Sequence, residues 1–117
     1  MIINLCIKPL SINAAFQGRR FKTKECKQYC QDLSMLLPKK QTIPGYVEID
    51  YIFYIKNWKM TDGDNLVKVL TDCIVQNGII EDDRKILKYT IEKYPAIKED
   101  SIYIEIRPSK RQITVQS

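Results

Sequence analysis

The sequence predicts a single α+β domain of two layers, a small mixed sheet packed against two helices in the order β-α-β-α-β-β. Three observations carry that expectation. Val47, Ile49, Tyr51, Phe53 and Ile55 alternate with polar residues, which is the two-residue period of a half-buried strand. Two other segments repeat apolar residues at three- and four-residue spacing, the period of an amphipathic helix. A chain of 117 residues is long enough to close around one core, and residues 1–117 are read as one domain.

Each element has its own reason. Residues 1–7 are rich in Ile, Leu and Cys and read as a buried strand. Residues 9–22 combine Pro, Ser, Asn, Gly and paired Arg without a period, so a long basic loop is expected. Thr23 is a suitable N-cap with Glu25 in the first turn, followed by a stripe of Cys26, Tyr29, Cys30, Leu33, Leu36 and Leu37. Pro38 ends that helix, and residues 39–45 form a turn-rich connector to the alternating strand. From Asn65 a second helix places Leu66, Val69, Leu70 and Cys73 on one face, as core or subunit contacts. Asn65, Lys68 and Asp72 share another face, and Gly78 suits the position just past the helix end. Residues 86–94 and 101–107 read as two strands joined around Pro95 as a hairpin, and the polar tail 108–117 is expected to fray.

Composition removes many functions. Hydrophobic residues at 44% and charged residues at 28% fit a folded globular domain and oppose global disorder. No histidine is present, so a Ser-His-Asp triad, a Cys-His pair and a His-ligated zinc are all excluded. The longest apolar runs fall far short of a membrane span, and the N-terminus lacks the pattern of a signal peptide. The four cysteines, Cys6, Cys26, Cys30 and Cys73, form no C-x-x-C pair and read as small buried hydrophobes. Free thiols without an export signal suit a cytoplasmic protein.

Charge is divided along the chain. Residues 62–83 hold six acids and one base, whereas the rest holds eighteen bases against eight acids. The basic clusters include Arg19, Arg20, Lys22, Lys24 and Lys27, and later Lys56 and Lys59. A cationic body around an acidic patch suits a protein that grips a polyanion while presenting a divalent metal to it. The bland alternative is a solvated, lysine-rich surface.

The acidic segment itself is informative. Asp62 and Asp64 flank Gly63 just before the second helix, where the glycine is read as permitting a sharp turn that converges both carboxylates. Hard cations such as Mg²⁺ take carboxylate oxygens and retain waters, with substrate phosphate completing the shell. A helix over residues 65–77 spans roughly 20 Å, and six extended residues after it can reach back by about as much. Asp83 can therefore return along the helix to the first two acids. An EF-hand fits poorly, because its sixth and twelfth positions would be Val67 and Cys73. Asp64 alone also suits a plain helix-capping role, and Lys68 one turn later a surface ion pair.

The pattern D-x-D-N-x-x-K-x-x-x-D, here Asp62, Asp64, Asn65, Lys68 and Asp72, followed by Asp82-Asp83, resembles the RusA family of Holliday-junction resolvases. Lys8-Pro-Leu-Ser-Ile-Asn13 and the basic stretch from Gly18 to Thr23 are similar to the family's N-terminal part. The resemblance implies a homodimeric, Mg²⁺-dependent endonuclease that makes paired symmetric nicks in four-way DNA junctions; whether Mn²⁺ replaces Mg²⁺ stays open, since both favour oxygen ligands. It implies Asp62, Asp64 and Asp83 as metal ligands and Lys68 as the catalytic lysine. Asn65, Asp72 and Asp82 would support them, and Asn13, Arg19, Arg20, Lys22, Lys24, Lys27 and Lys59 would contact DNA. Two other readings stand beside it: a junction-binding module whose acidic loop is structural, and a nuclease for other branched DNA.

Overall fold

A computed structural model describes residues 1–17, 21–39 and 41–110. Its elements are β1 (Ile2–Leu5), α1 (Ile12–Ala15), β2 (Phe16–Gln17), β3 (Phe21–Lys22), α2 (Lys24–Leu36), β4 (Val47–Ile55), α3 (Asp64–Gln76), a 3₁₀ turn (Asp83–Lys85), β5 (Ile86–Pro95) and β6 (Ser101–Pro108). The fold is α+β as expected, with a four-stranded mixed sheet in the order β1-β6-β4-β5. No helix among the described residues is long and apolar enough to cross a membrane.

β4 is the strand its alternation predicts. Its odd-numbered residues, Val47 to Ile55, are buried, and the intervening ones face the other side of the sheet. Ile3 and Leu5 of β1 and Ile102, Ile104 and Ile106 of β6 continue that buried face. They join α2 and α3 in one hydrophobic cluster. The layer of helices therefore covers one face of the sheet.

The hairpin expected between residues 86–94 and 101–107 does not form. β5 pairs parallel with β4, and β6 pairs antiparallel with β4 on its other edge, so β4 stands between them. The parallel pair needs a crossover, and α3 supplies it. The link from β5 to β6 passes the end of β4, where Ala96 N–H donates to Ile55 O at 3.2 Å and Lys56 N–H to Asp100 Oδ1 at 2.9 Å.

The expected long basic loop also contains structure: α1 and a short ribbon of β2 against β3. Thr23 caps α2 as expected, accepting from Cys26 N–H at 3.2 Å, and its hydroxyl donates to Ala14 O at 2.7 Å, which ties α1 to the helix start. Leu33 and Leu37 are buried, but Leu36 is 50% exposed because α2 turns that position to solvent. Cys26 and Cys73 are buried and Cys30 half-buried, whereas Cys6 is exposed and so not a core residue. Cys30 and Cys73 bring α2 and α3 together, with their sulfurs 3.0 Å apart.

α3 carries Leu66, Val69, Leu70 and Cys73 into the core, so these residues are intrachain packing. It ends as expected: Gly78 has φ +74°, and its N–H donates to Val75 O at 2.9 Å. The chain then runs back beside the connector, where Ile43 bridges Ile80 and Ile43 N–H donates to Ile79 O at 2.8 Å.

Gly63 does not serve as a sharp turn. Its φ of −60° is ordinary for any residue; glycine is needed because a Cβ there would lie 2.8 Å from Ile91 Cγ2 on β5. The Lys93 ammonium donates to Thr61 O at 2.6 Å and fastens the same loop to the same strand. At the C-terminal side, Ser109 N–H donates to Tyr46 O at 2.8 Å, while residues 111–117 of the tail lie outside the described residues.

On the sheet's open face, Asp50 accepts from Thr90 Oγ1 at 2.6 Å and from Arg107 at 2.8 Å. The Thr90 hydrogen bond, aided by Arg107, holds the Asp50 carboxyl below its usual pKa despite partial burial. A depressed carboxyl stabilises the fold above its unfolded pKa and loses that contribution as pH falls through the folded one. Asp50→Asn is therefore expected to cost about 1 kcal/mol at pH 7, with the gap to the parent closing below about pH 4. Urea midpoints at pH 7 and pH 3 check this; a gap that persists in acid contradicts it. Gly63→Ala is expected to destabilise by about 1–3 kcal/mol through overpacking against Ile91. An unchanged urea midpoint would show that Ile91 moves aside freely.

Candidate active site

Between α3 and the edge strand β5 lies an open cleft of about 420 Å³. Asp64, Lys68, Asp72 and Asp83 give it a charged side, and Tyr51, Val67, Thr71, Ile86, Tyr89 and Ile91 an apolar and aromatic one. The three α3 residues repeat every fourth position, so one helix face carries them, spread over about 12 Å of helix axis.

The turn before α3 sets the first of them. Asp62 Oδ1 accepts the N–H of Asp64 at 3.1 Å, and Asp62 O accepts from Asn65 N–H at 3.2 Å. Asp62 thus satisfies an orphan donor of the helix start, since Gly63 at the cap position has no side chain to do so. Its carboxylate lies outside the cleft lining, as does Asn65.

Asp83 arrives from the other end of α3, delivered by the returning chain and the 3₁₀ turn. Its neighbour Asp82 is occupied elsewhere: it caps that turn, accepting Arg84 N–H at 2.9 Å, and pairs with the Arg84 guanidinium at 3.0 Å. The Arg84 hydrogen bond holds the Asp82 carboxyl well below the usual range. Asp83 moves the opposite way. Its hydrogen bond with the Asp82 carboxyl is the main cause, followed by desolvation and the negative charge of Asp82, with Asp72 adding to it. Asp83 therefore shares the cleft with Asp64, but the α3 acid whose charge reaches it is Asp72.

Among the described residues, no three His, Cys, Asp or Glu side chains are gathered closely enough to hold a metal ion by themselves. The donors nevertheless fit a hard divalent cation. All are carboxylate oxygens, and Mg²⁺ commonly takes one or two such ligands and completes its shell with water and phosphate.

Beneath the cleft, Tyr51 of β4 and Thr71 of α3 share a 2.7 Å hydrogen bond between hydroxyls and lock strand to helix. Burial pushes Tyr51 up to about 12, so its hydroxyl stays neutral. Tyr51, Thr71 and Tyr89 are absent from the expected site. Tyr51 reads only as core in the sequence, and Thr71 lies between two helical stripes. Tyr89 has no distinct signal, since Leu87, Tyr89 and Ile91 keep the ordinary strand period.

The expected DNA contacts lie elsewhere. Asn13 on α1, Lys22 on β3, and Lys24 and Lys27 on α2 are exposed, outside the cleft lining. Lys59 is exposed with its ammonium 5.7 Å from the Trp58 ring centroid. Arg19 and Arg20 lie outside the described residues.

Comparison with protein families matches residues 11–107 to Endodeoxyribonuclease RusA. That stretch runs from the residue before α1 into β6 and includes the whole cleft. No curated protein gives a significant match. The match covers most of the 117-residue chain, and the protein belongs to the RusA family of endodeoxyribonucleases.

Proposed function

We propose that this endodeoxyribonuclease resolves four-way DNA junctions by paired symmetric nicks, using Mg²⁺, with Mn²⁺ able to substitute. One observation supports the reading above the others: Asp64, Lys68, Asp72 and Asp83, drawn from both ends of α3, line one open cleft. The family match supplies the reaction class. In this reading Asp64 and Asp83 would hold the metal from the cleft, with water and substrate phosphate completing its shell, and Asp62 would join them from the turn that opens α3. When bound, the cation lowers the pKa of a water and offsets charge on the leaving oxygen.

The chain's own groups do the rest. The Lys68 ammonium sits on the same helix face as Asp64 and neutralises the charge that grows on the phosphate oxygens in the transition state. Asp82, held by Arg84, keeps the 3₁₀ turn in shape and leaves Asp83 to face the cleft. Asp72 adds negative charge next to Asp83, and Asn65 supports the first turn of the helix. Asn13, Lys22, Lys24, Lys27 and Lys59, with Arg19 and Arg20, contact backbone phosphates and orient the junction without reading bases. A two-fold homodimer matches a substrate with two equivalent strands to cut. The place of action is the cytoplasm of a bacterial or phage-infected cell, which suits four free thiols.

A synthetic four-way junction, labelled on each strand in turn and incubated with Mg²⁺ or EDTA, tests the proposal. Paired nicks that require metal are expected. Asp64→Asn should abolish them while keeping or strengthening junction binding, because a ligand and a negative charge are both removed. Normal nicking by that variant overturns the metal assignment, and tight binding without nicks by the parent, with Mn²⁺ as well, favours a binding module. Lys68→Ala is expected to lower the single-turnover nicking rate by about 10²–10³-fold with little change in junction affinity. A loss confined to affinity would make Lys68 a plain phosphate contact.

A further inference from the structure

We infer that Tyr89 is a stacking platform for the exposed face of a base at the branch point, beside the phosphate to be cut. The inference rests on the nuclease reading of the cleft and adds to it the feature that recognises branched DNA.

The placement of Tyr89 begins with an irregularity in β5. Val47 pairs with Ile86 and Glu48 with Lys88, so Leu87 is an extra residue without a partner on β4. Bulges re-aim side chains and are common beside active sites. Here the extra residue resets the alternation, and Ile86, Tyr89 and Ile91 all reach the cleft. Without it, a strict period of two would set Ile86 and Tyr89 on opposite faces.

The ring is both supported and open. It meets Tyr51 edge-to-face, with centroids 6.4 Å apart and an interplanar angle of 78°. Tyr51 is fully buried and fixed by its hydrogen bond to Thr71, so the support is rigid. Yet Tyr89 itself is 55% exposed, on an edge strand where charged residues are the usual protection. Its hydroxyl makes no hydrogen bond with the described residues, which leaves the ring as the group with work to do.

The surroundings suit a base better than a phosphate. The same cleft carries Asp64, Asp72 and Asp83, with Lys68 as the one cation among the described residues of its lining, so a bare phosphate chain gains little there without metal. Base–aromatic stacking is uncharged and tolerant of base identity. Bases inside a duplex have both faces covered, whereas a branch point exposes one. A ring next to the acids therefore favours branched over linear DNA and holds the strand in register with Lys68.

The test uses the full chain and a four-way junction carrying 2-aminopurine at each position flanking the branch. Binding in EDTA is read by fluorescence, and nicking with Mg²⁺ by gel. The parent protein is expected to change the fluorescence at one branch-flanking position. Tyr89→Phe should keep that change and nick within twofold of the parent. Tyr89→Leu, which keeps bulk but has no aromatic face, and Tyr89→Ala should lose it and nick at least tenfold more slowly. If Tyr89→Ala fails to fold, the Leu variant decides. An unchanged fluorescence response in Tyr89→Leu, or nicking at the parental rate, overturns the inference. A parent that binds but never nicks refutes the nuclease reading instead, while the EDTA fluorescence of parent and Leu variant still decides whether Tyr89 contacts a base.

Discussion

Neighbouring parallel strands cannot be joined by a tight turn, and β4 and β5 are parallel neighbours. The chain must leave one end of β4, cross the sheet and begin β5 at the other end. α3 is that crossing, and its buried stripe of Leu66, Val69, Leu70, Cys73 and Ile74 decides how it lies. Once α3 is seated, the turn before it and the segment after it have little freedom. Gly63 fits under Ile91, Lys93 fastens Thr61, and the return path is clipped to the connector at Ile43. The cleft is the gap that remains between the crossing helix and the strand it leads to.

Two adjacent aspartates show how fine the control becomes at that gap. Asp82 and Asp83 have the same side chain, yet their environments drive them apart. Arg84 claims one, and the other is left among acids. The basic residues Lys22, Lys24 and Lys27 sit on β3 and α2 outside the cleft lining, so in the proposed reading attraction for a polyanion and affinity for a cation would occupy different surfaces. Such separation lets each persist without neutralising the other.

The parts legible in the sequence were those governed by local period. β4 follows from strict alternation, and α2 and α3 follow from three- and four-residue spacing, Thr23 and Gly78. The acidic constellation was legible too, as a cluster of residue types. What escaped depends on which strands become neighbours. Residues 86–94 and 101–107 look like a hairpin because they are adjacent in sequence, but both find a better partner in β4. Gly63 was legible as necessary and misread in cause, since close approach of a strand distant in sequence leaves no local mark. Tyr89 escaped because a bulge changes the facing of a strand without changing its composition.

The position of β6 has a consequence for how the molecule forms. β1 does not pair with β4; it pairs with β6, with Ile2 opposite Glu105. The first strand of the chain therefore waits for the last, and the sheet cannot be completed until nearly all described residues are available. The unit from β4 through β5 is more local and can assemble around α3 beforehand. Pairings of such long sequence separation slow folding and leave strand edges open meanwhile. The region that bears the cleft is thus suited to condense early, and the terminal strands to add at the far side of β4 as the slow step.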